Sequence, residues 1–433
     1  MNPSQQPNLQ SVVSDLPDYN PQSLRVDQAI AIMRNFVQPM AQALEVEEVD
    51  IFKALNRVLA TDIISPIDVP AADNSAMDGY AFSGTSITSQ ETTTLKLIGT
   101  GLAGNAFTGQ VGAGQCIRIT TGAIMPAGCD TMIPQELVRV DGETISFTSS
   151  SIRAGDNRRL KGEDLKAGFP ALRAGRIIRP ADLGLIASLG IGRIPVKRKL
   201  RVGFFSTGDE LRSIGETLDH GSVYDSNRYT VFGMLQRLGM ELKDYGVIQD
   251  QPDELKRAFA TAALECDAII TSGGVSVGEA DFTKQIMREL GDVTFWQIAM
   301  RPGRPMAFGS IAVNNRPAVL FGLPGNPVAV MVTFYQFVRP TLMAMSSAQG
   351  QEPLTIKVKS AQAIRKKPGR TEFQRGILRT TDDGSREVLI TGSQGSGVLR
   401  SMSEADCFIV LGHNQDSIQA GDWVDVMLFE GLI

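Results

Sequence analysis

From Leu200 onward the chain keeps one rhythm, a short apolar run followed by a segment of helical period, and few architectures accept it. "LRVGFF" precedes a segment with Val231, Leu235 and Leu238 on one face; "DYGVI" precedes one carrying Leu255 and Phe259; "DAII" precedes one carrying Phe282, Ile286 and Leu290. Apolar residues at three- and four-residue intervals bury one stripe of a helix, whereas short β-branched runs suit strands. Such alternation closes through right-handed crossovers into a parallel sheet covered by helices. "PAVLF" then passes through "GLPGNP" into a long helix toward Met345.

Ligands of open parallel sheets bind beyond the carboxyl ends of the strands, so the segments that follow each strand carry the functional expectation. They read "STGDE", "QDQPDE", "TSGGVSVGEAD" and "GLPGNP". Taken singly, these are ordinary turn and cap chemistry, Asp250 and Asp281 included. Four glycine- and carboxylate-bearing loops on one rim point to a site. The third loop is not a nucleotide-triphosphate loop: Gly273 and Gly278 have the separation, but Glu279 stands where the phosphate-binding lysine belongs, and G-x-G-x-x-G is absent. The stretch holding Ser272, Gly273, Gly274, Ser276 and Gly278 suits an oxyanion held by backbone N–H groups, with Lys284 adding charge from the first helical turn. Glu210, Asp250 and Asp281 supply the oxygen donors for a divalent metal bridging to that anion, a pattern magnesium prefers. "MRPGRP" places Arg301 and Arg304 between two strands of the same sheet, where prolines restrict the backbone. "RKKPGRTEFQRG" offers Arg370 and Arg375 to phosphate or carboxylate, while Lys366 and Lys367 suit a solvated hairpin face equally well.

A length of 433 residues exceeds one hydrophobic core, and the flanks read differently. "LRVDQAIAIMRNFV" has helical spacing, residues 92–151 are short β-branched runs, "PADLGLIASLGIGRIPV" is a compact helix with a glycine-rich exit, and the text beyond 350 returns to strands of a small barrel or sandwich. "VPAADNSAMDGYAF" gathers Asp73, Asn74, Ser75 and Asp78, which an Asx-turn would also explain. Thr121 in "RITTGAIMPAGCD" and Asp164 in "NRRLKGED" predict little as isolated loops. A net charge of −5 argues against general nucleic-acid binding. Four scattered cysteines and two histidines exclude a zinc cluster or disulfide framework and fit a reducing cytoplasm. The first residues lack a signal's basic and apolar regions, and no later run approaches a membrane span of ~18 apolar residues.

Taken together and in order, "DNSAMDGYA", "TTGAIMPAGCD", "GED", "STGDEL", "YDSNR", "SGGVSVGEADFTK", "RPGRPMAFG", "GLPGNPVAV" and "FQRG" resemble the MoeA family of molybdopterin molybdenumtransferases, related to the E domain of gephyrin. The resemblance runs from about Leu24 to the C-terminus. It implies a multidomain α/β plus β fold: a disordered tail over 1–22, a discontinuous helical and extended module over 23–67 and 162–198, an inserted β domain over 68–161, a MogA-like α/β domain with a parallel-dominated sheet over 199–346, and a C-terminal β-barrel-like domain over 347–433. It implies the reaction as well, in which adenylylated molybdopterin and molybdate become molybdenum cofactor, with AMP released and Mg2+ assisting.

Carried over by motif, the family's functional residues are Asp78, Thr121, Asp164, Glu210, Asp250 and Asp281, with Arg301, Pro302, Pro305, Arg375 and Ser396 at further positions of its cleft. The family is homodimeric, and its inserted domain, which here holds Asp78 and Thr121, meets the α/β domain of the other subunit. A MogA-like adenylyltransferase and downstream maturation proteins are the implied partners, with neither nucleic acid nor membrane. Arg301, Arg304 and Gln297 stand where relatives often place lysine, which bears on molybdate against tungstate. A stand-alone adenylyltransferase would lack the β insertion and the C-terminal domain, and a pure scaffold gains nothing from an acidic rim.

Overall fold

The structure, a computed structural model, describes residues 8–14, 18–275, 281–350 and 352–429, with Asp281 described in its backbone alone. It divides into two compact units: Met1–Thr61, Gly175–Leu183 and Arg193–Ile433 form one, and Asp62–Ala174 with Gly184–Gly192 form the other.

The first unit is built on six strands and their helices: β1 (Arg201–Thr207), α1 (Ser226–Arg237), β2 (Glu241–Ile248), α2 (Pro252–Glu265), β3 (Ala268–Ser272), α3 (Asp281–Leu290), β4 (Gly291–Gln297), β5 (Pro305–Val313) and β6 (Arg316–Leu323). The sheet order is β2-β1-β3-β6-β5-β4. The first four strands run parallel, β5 pairs antiparallel with β6, and β4 pairs antiparallel with β5. Every residue of β3 is buried, as a strand covered on both faces requires. On one face Phe204, Ile270, Phe308 and Phe321 meet helix Val26–Ala43, whose Phe36 ring stands edge-on to Phe308 at 5.3 Å. On the other, Leu255, Phe259 and Ile286 pack against Phe205 and Leu320.

Some expectations change in this unit. Phe282 is 54% exposed, and the buried side chains of α3 are Thr283, Ile286 and Met287. The inward stripe therefore starts at Thr283, because 283, 286 and 287 share a helical face that 282 only borders. The expected loose tail is ordered where it is described: helix Leu9–Ser14 buries Leu9, whose N–H donates to Asp292 Oδ2 at 2.7 Å, and Trp296 Nε1 donates to Tyr19 Oη at 3.0 Å. Leu9, Val12 and Val13 recur at helical spacing and find the same core. Pro327–Met345 is long and apolar enough to cross a bilayer by composition, contrary to the reading above, but 72% of its window is buried within the fold.

The C-terminal strands Thr355–Ser360, Thr371–Thr380, Arg386–Ile390, Cys407–Leu411 and Trp423–Leu428 close into a five-stranded barrel, since Thr371–Thr380 pairs with both Arg386–Ile390 and Cys407–Leu411. The cationic run around Arg375 is therefore a barrel strand. Met300–Arg301 pairs in parallel with Thr371–Glu372. Arg301 and Arg304 lie between β4 and β5 of one sheet, as expected, and Arg301 in addition joins the barrel's sheet. Lys366 is buried, and its ammonium donates to the carbonyls of Gln415 (2.8 Å), Lys367 (3.2 Å) and His413 (3.4 Å), so it fastens a turn and lies on no solvated face.

The second unit holds a mixed sheet in the order Thr131–Pro134, Gly79–Phe82, Gln115–Ile119, Thr92–Gly101, Thr144–Thr148, Arg139–Asp141. Gly79–Phe82, read above as part of a polar loop, is a fully buried interior strand. Its aromatic tip Phe82 packs on Phe147 with ring centroids 5.4 Å apart.

Candidate functional site

A cleft of about 640 Å3 opens in the first unit at the carboxyl ends of β1, β2, β3 and β6. From β1 come Thr207, Gly208 and Glu210; from the end of β2 comes Asp250; from β3 come Ser272, Gly273, Gly274 and Val275; after β6 come Pro324, Gly325 and Asn326. Arg301, Pro302, Arg304 and Pro305 line the opposite side, and Arg370, Gln394, Gly395 and Ser396 reach in from the barrel.

Two glycines show how closely the loops are fitted. Gly273 has φ +95°, and a Cβ there would lie 2.4 Å from the Thr207 carbonyl oxygen; Gly208 has φ +147°, and its Cβ would lie 2.6 Å from Glu210 Oε2. Only glycine lets β1 and β3 deliver their loops side by side. The Gly273 N–H is already donated to the Leu323 carbonyl at 3.1 Å, so this group fixes the loop against β6. Ser272 is likewise an internal tie: its hydroxyl lies 3.0 Å from Ser206 Oγ and is buried.

Asn227 was not among the residues expected from sequence. Asp225 caps α1 by accepting the Arg228 N–H at 3.2 Å, which sets Asn227 on the first helical turn facing the cleft. Its Nδ2 donates to the Gly325 carbonyl at 2.8 Å and reaches Ser272 Oγ at 3.5 Å, joining three loops. The motif "YDSNR" carried that signal, in an aspartate placed where a helix begins. Asn227 Oδ1 and Thr207 Oγ1 are buried without a hydrogen-bond partner among the described residues. Buried polar atoms are nearly always paired, so these two oxygens offer capacity to a ligand in the cleft.

Arg375 is 1% exposed; it is not in the cleft lining but lines an adjoining cavity with Arg301, Pro302 and Gln394, which also line the cleft. Its Nε donates to Ser401 Oγ at 3.0 Å, and its Nη2 donates to the carbonyls of Gly395 (3.0 Å) and Ser393 (3.4 Å). Burial, with Arg301 nearby, pushes its guanidinium down to about 10. The turn it holds ends in Ser396, whose carbonyl accepts the Val328 N–H at 3.1 Å, in the first turn of the helix after "GLPGN". Arg375 therefore positions the barrel turn that borders the cleft.

Lys284 lines a separate depression with Gln285, Arg288 and Glu289. One residue along from buried Thr283, it falls on the outer face of α3. Gln297 is also outside the lining: its N–H donates to the Pro21 carbonyl and its carbonyl accepts the Leu24 N–H. Ser276, Gly278 and Glu279 lie outside the described residues, as does the side chain of Asp281. Among the described residues no group of three or more His, Cys, Asp or Glu could hold a metal.

In the second unit Asp78 and Thr121 meet: the Thr121 N–H donates to Asp78 Oδ1 at 2.7 Å and its hydroxyl to the same oxygen at 2.9 Å. These two bonds, the backbone one first, hold the exposed Asp78 carboxyl below its ordinary range. Asp164 is exposed on a turn of the same unit, where its N–H donates to the Val69 carbonyl. In the polar cluster, Asp73 Oδ1 accepts the Lys161 N–H at 2.8 Å and so ties two segments distant in sequence.

Three family models cover nearly the whole chain: the MoeA N-terminal region (domains I and II) over 24–190, a probable molybdopterin binding domain over 203–344, and the MoeA C-terminal region (domain IV) over 357–429. A molybdopterin molybdenumtransferase of Haemophilus influenzae is 40% identical over 95% of this chain and 100% of its own length. One of a Nostoc species is 33% identical over 92% of each. The crystal structure of a molybdopterin biosynthesis MoeA protein from Pyrococcus horikoshii superposes with a TM-score of 0.77 at 27% identity, covering 94% of this chain and all of that one.

Proposed function

The chain belongs to the MoeA family, and from that premise we propose that it transfers molybdenum from molybdate to adenylylated molybdopterin, releasing AMP, in the biosynthesis of molybdenum cofactor. The observation that carries the reading is the cleft itself. Carboxylates from the ends of two adjacent parallel strands, Glu210 and Asp250, share it with Arg301, Arg304 and Arg370 and with two buried oxygens that have no partner among the described residues. A ligand combining phosphate and hydrogen-bonding groups uses each of these.

The arginines bind and orient the anionic parts, molybdate and pyrophosphate alike, through planar donor forks. Pro302 and Pro305 limit the backbone between Arg301 and Arg304. Asn227 holds the glycine loops together and presents Oδ1 to the substrate. Arg375 and Ser396 keep the barrel turn against the helix start, and Ser272 and Gly273 hold the floor.

The donor set fits Mg2+: magnesium binds through one or two carboxylates and completes its shell with water and substrate phosphate, so Glu210 and Asp250 suffice and Asp281 is a further candidate. When bound, Mg2+ supplies charge neutralisation for the phosphates and the leaving AMP. The roles of Asp78, Thr121 and Asp164 belong to the same proposal, as do those of Ser276, Gly278 and Lys284, a homodimer, a cytoplasmic setting and supply by a MogA-like adenylyltransferase. For Lys284 the outer face of α3 supports only a peripheral part.

The test is AMP release from adenylylated molybdopterin, with Mg2+ and molybdate, followed by reconstitution of a molybdoenzyme. Activity absent from the folded protein under these conditions would sink the reading.

A further inference from the structure

A second cavity, of about 500 Å3, lies in the first unit and shares no lining residue with the strand-end cleft. Arg176, Arg179 and Arg339 line it, together with Glu352. Arg176 Nη2 pairs with Asp182 Oδ1 at 2.9 Å, Arg179 Nε stands 3.8 Å from Asp182 Oδ2, and Arg34 Nη2 takes Glu352 Oε1 at 2.7 Å. Three arginines thus line the cavity with one carboxylate, Glu352. The apolar wall is formed by Tyr335 and Phe429, whose rings stack with centroids 5.8 Å apart and planes 3° from parallel, beside Met427 and Leu354.

The core helix breaks its own register to make this wall. Pro340 has no N–H to give the Gln336 carbonyl, and the helix passes through a π turn, Phe334–Val338, in which the Arg339 N–H donates to Phe334 O. Tyr335 and Arg339, one turn apart in an otherwise buried apolar helix, both border the cavity. Turns of this kind are rare and gather at functional sites.

We propose that this cavity binds a phosphate monoester of mononucleotide size, its phosphate on the guanidinium groups and its aromatic ring against the Tyr335–Phe429 face. Guanidinium forks match phosphate oxygens, and aromatic faces accept any base by stacking. The volume falls within the range of small-molecule sites, and Asn56 on the lining gives a base edge an amide donor and acceptor. Burial lowers the pKa of Arg339, and a bound anion favours its charged form. The inference does not rest on the reaction proposed for the strand-end cleft.

The experiment titrates the full-length protein with AMP, adenosine and inorganic phosphate, reading affinity by calorimetry and location by backbone hydrogen exchange. AMP is expected to slow exchange over 175–180 and 339–350. Arg179→Gln, at a side chain 47% exposed and so safe for folding, is expected to weaken that effect roughly tenfold while leaving any protection over 301–305 unchanged. Protection confined to 207–211 and 301–305 overturns the proposal, and so does protection over 175–180 that persists in Arg179→Gln. Adenosine binding there as well as AMP removes the phosphate contact, and phosphate binding there as well as AMP removes the ring contact; each result refutes the assignment.

Discussion

In the second unit, Asp78 receives two hydrogen bonds from Thr121, whereas in the first, Thr207 Oγ1 and Asn227 Oδ1 are buried with no partner among the described residues. The contrast separates two ways of preparing a polar group. A carboxylate satisfied by its own neighbours is ionised and aimed whether or not a ligand is present. A buried oxygen without a partner costs roughly 1–3 kcal/mol until something supplies the missing bond, so the cleft floor holds back part of the protein's stability for its ligand.

Removing one of the cleft's unpartnered oxygens should therefore weaken function while raising stability, and changes at the Asp78 pair should not. The largest effect is expected for Asp250→Asn, which removes one cleft carboxylate: AMP release should fall by roughly 10²-fold or more while the circular-dichroism spectrum stays that of the folded protein. A variant with full turnover would end the assignment of that carboxylate.

Next comes Gly273→Ala, which places a Cβ 2.4 Å from a backbone oxygen at φ +95°. A loss of about 2 kcal/mol in denaturant-derived stability is expected, accompanied by loss of activity. Thr207→Val removes, without changing shape, a buried hydroxyl that has no partner among the described residues. It is expected to raise stability by about 1 kcal/mol while weakening substrate binding, and a destabilised Thr207→Val protein would mean that the oxygen is already satisfied.

The smallest effect is expected for Thr121→Val, which removes the hydroxyl bond and keeps the backbone one. Because the folded Asp78 pKa lies below its unfolded value, the pair contributes stability above the ordinary carboxylate range and loses it as pH falls through the folded pKa. The variant should shift the Asp78 carboxyl carbon titration upward and make the acid-side loss shallower. An unshifted titration would show that the hydroxyl contributes nothing to holding the carboxylate.

Much of this was legible because it depends on local rules. Val231, Leu235, Leu255 and Phe259 lie on buried faces, as three- and four-residue spacing requires, and Glu210 and Asp250 follow their strands into the cleft. Phe282 was misplaced because a short helix leaves the phase of its stripe uncertain by one residue, and one residue turns a side chain by about 100°. Arg375 was read as a grip on substrate because its sequence neighbours are cationic. Its burial comes from closure of the barrel, in which residues distant in sequence, Ser393, Gly395 and Ser401, surround it.

By itself the amino-acid sequence determined the alternation of strand and helix, the rim on which glycines and carboxylates collect, and the motif order that marks the family. Periodicity and turn chemistry act over a few residues and survive in any context. The tertiary structure alone decided that Gln394 and Gly395 of the barrel border an α/β cleft, that Asn227 ties its loops, and that a π turn borders a second cavity lined with arginine. Those outcomes depend on which side chains meet across long separations, and no spacing along the chain records the direction in which a packed side chain points.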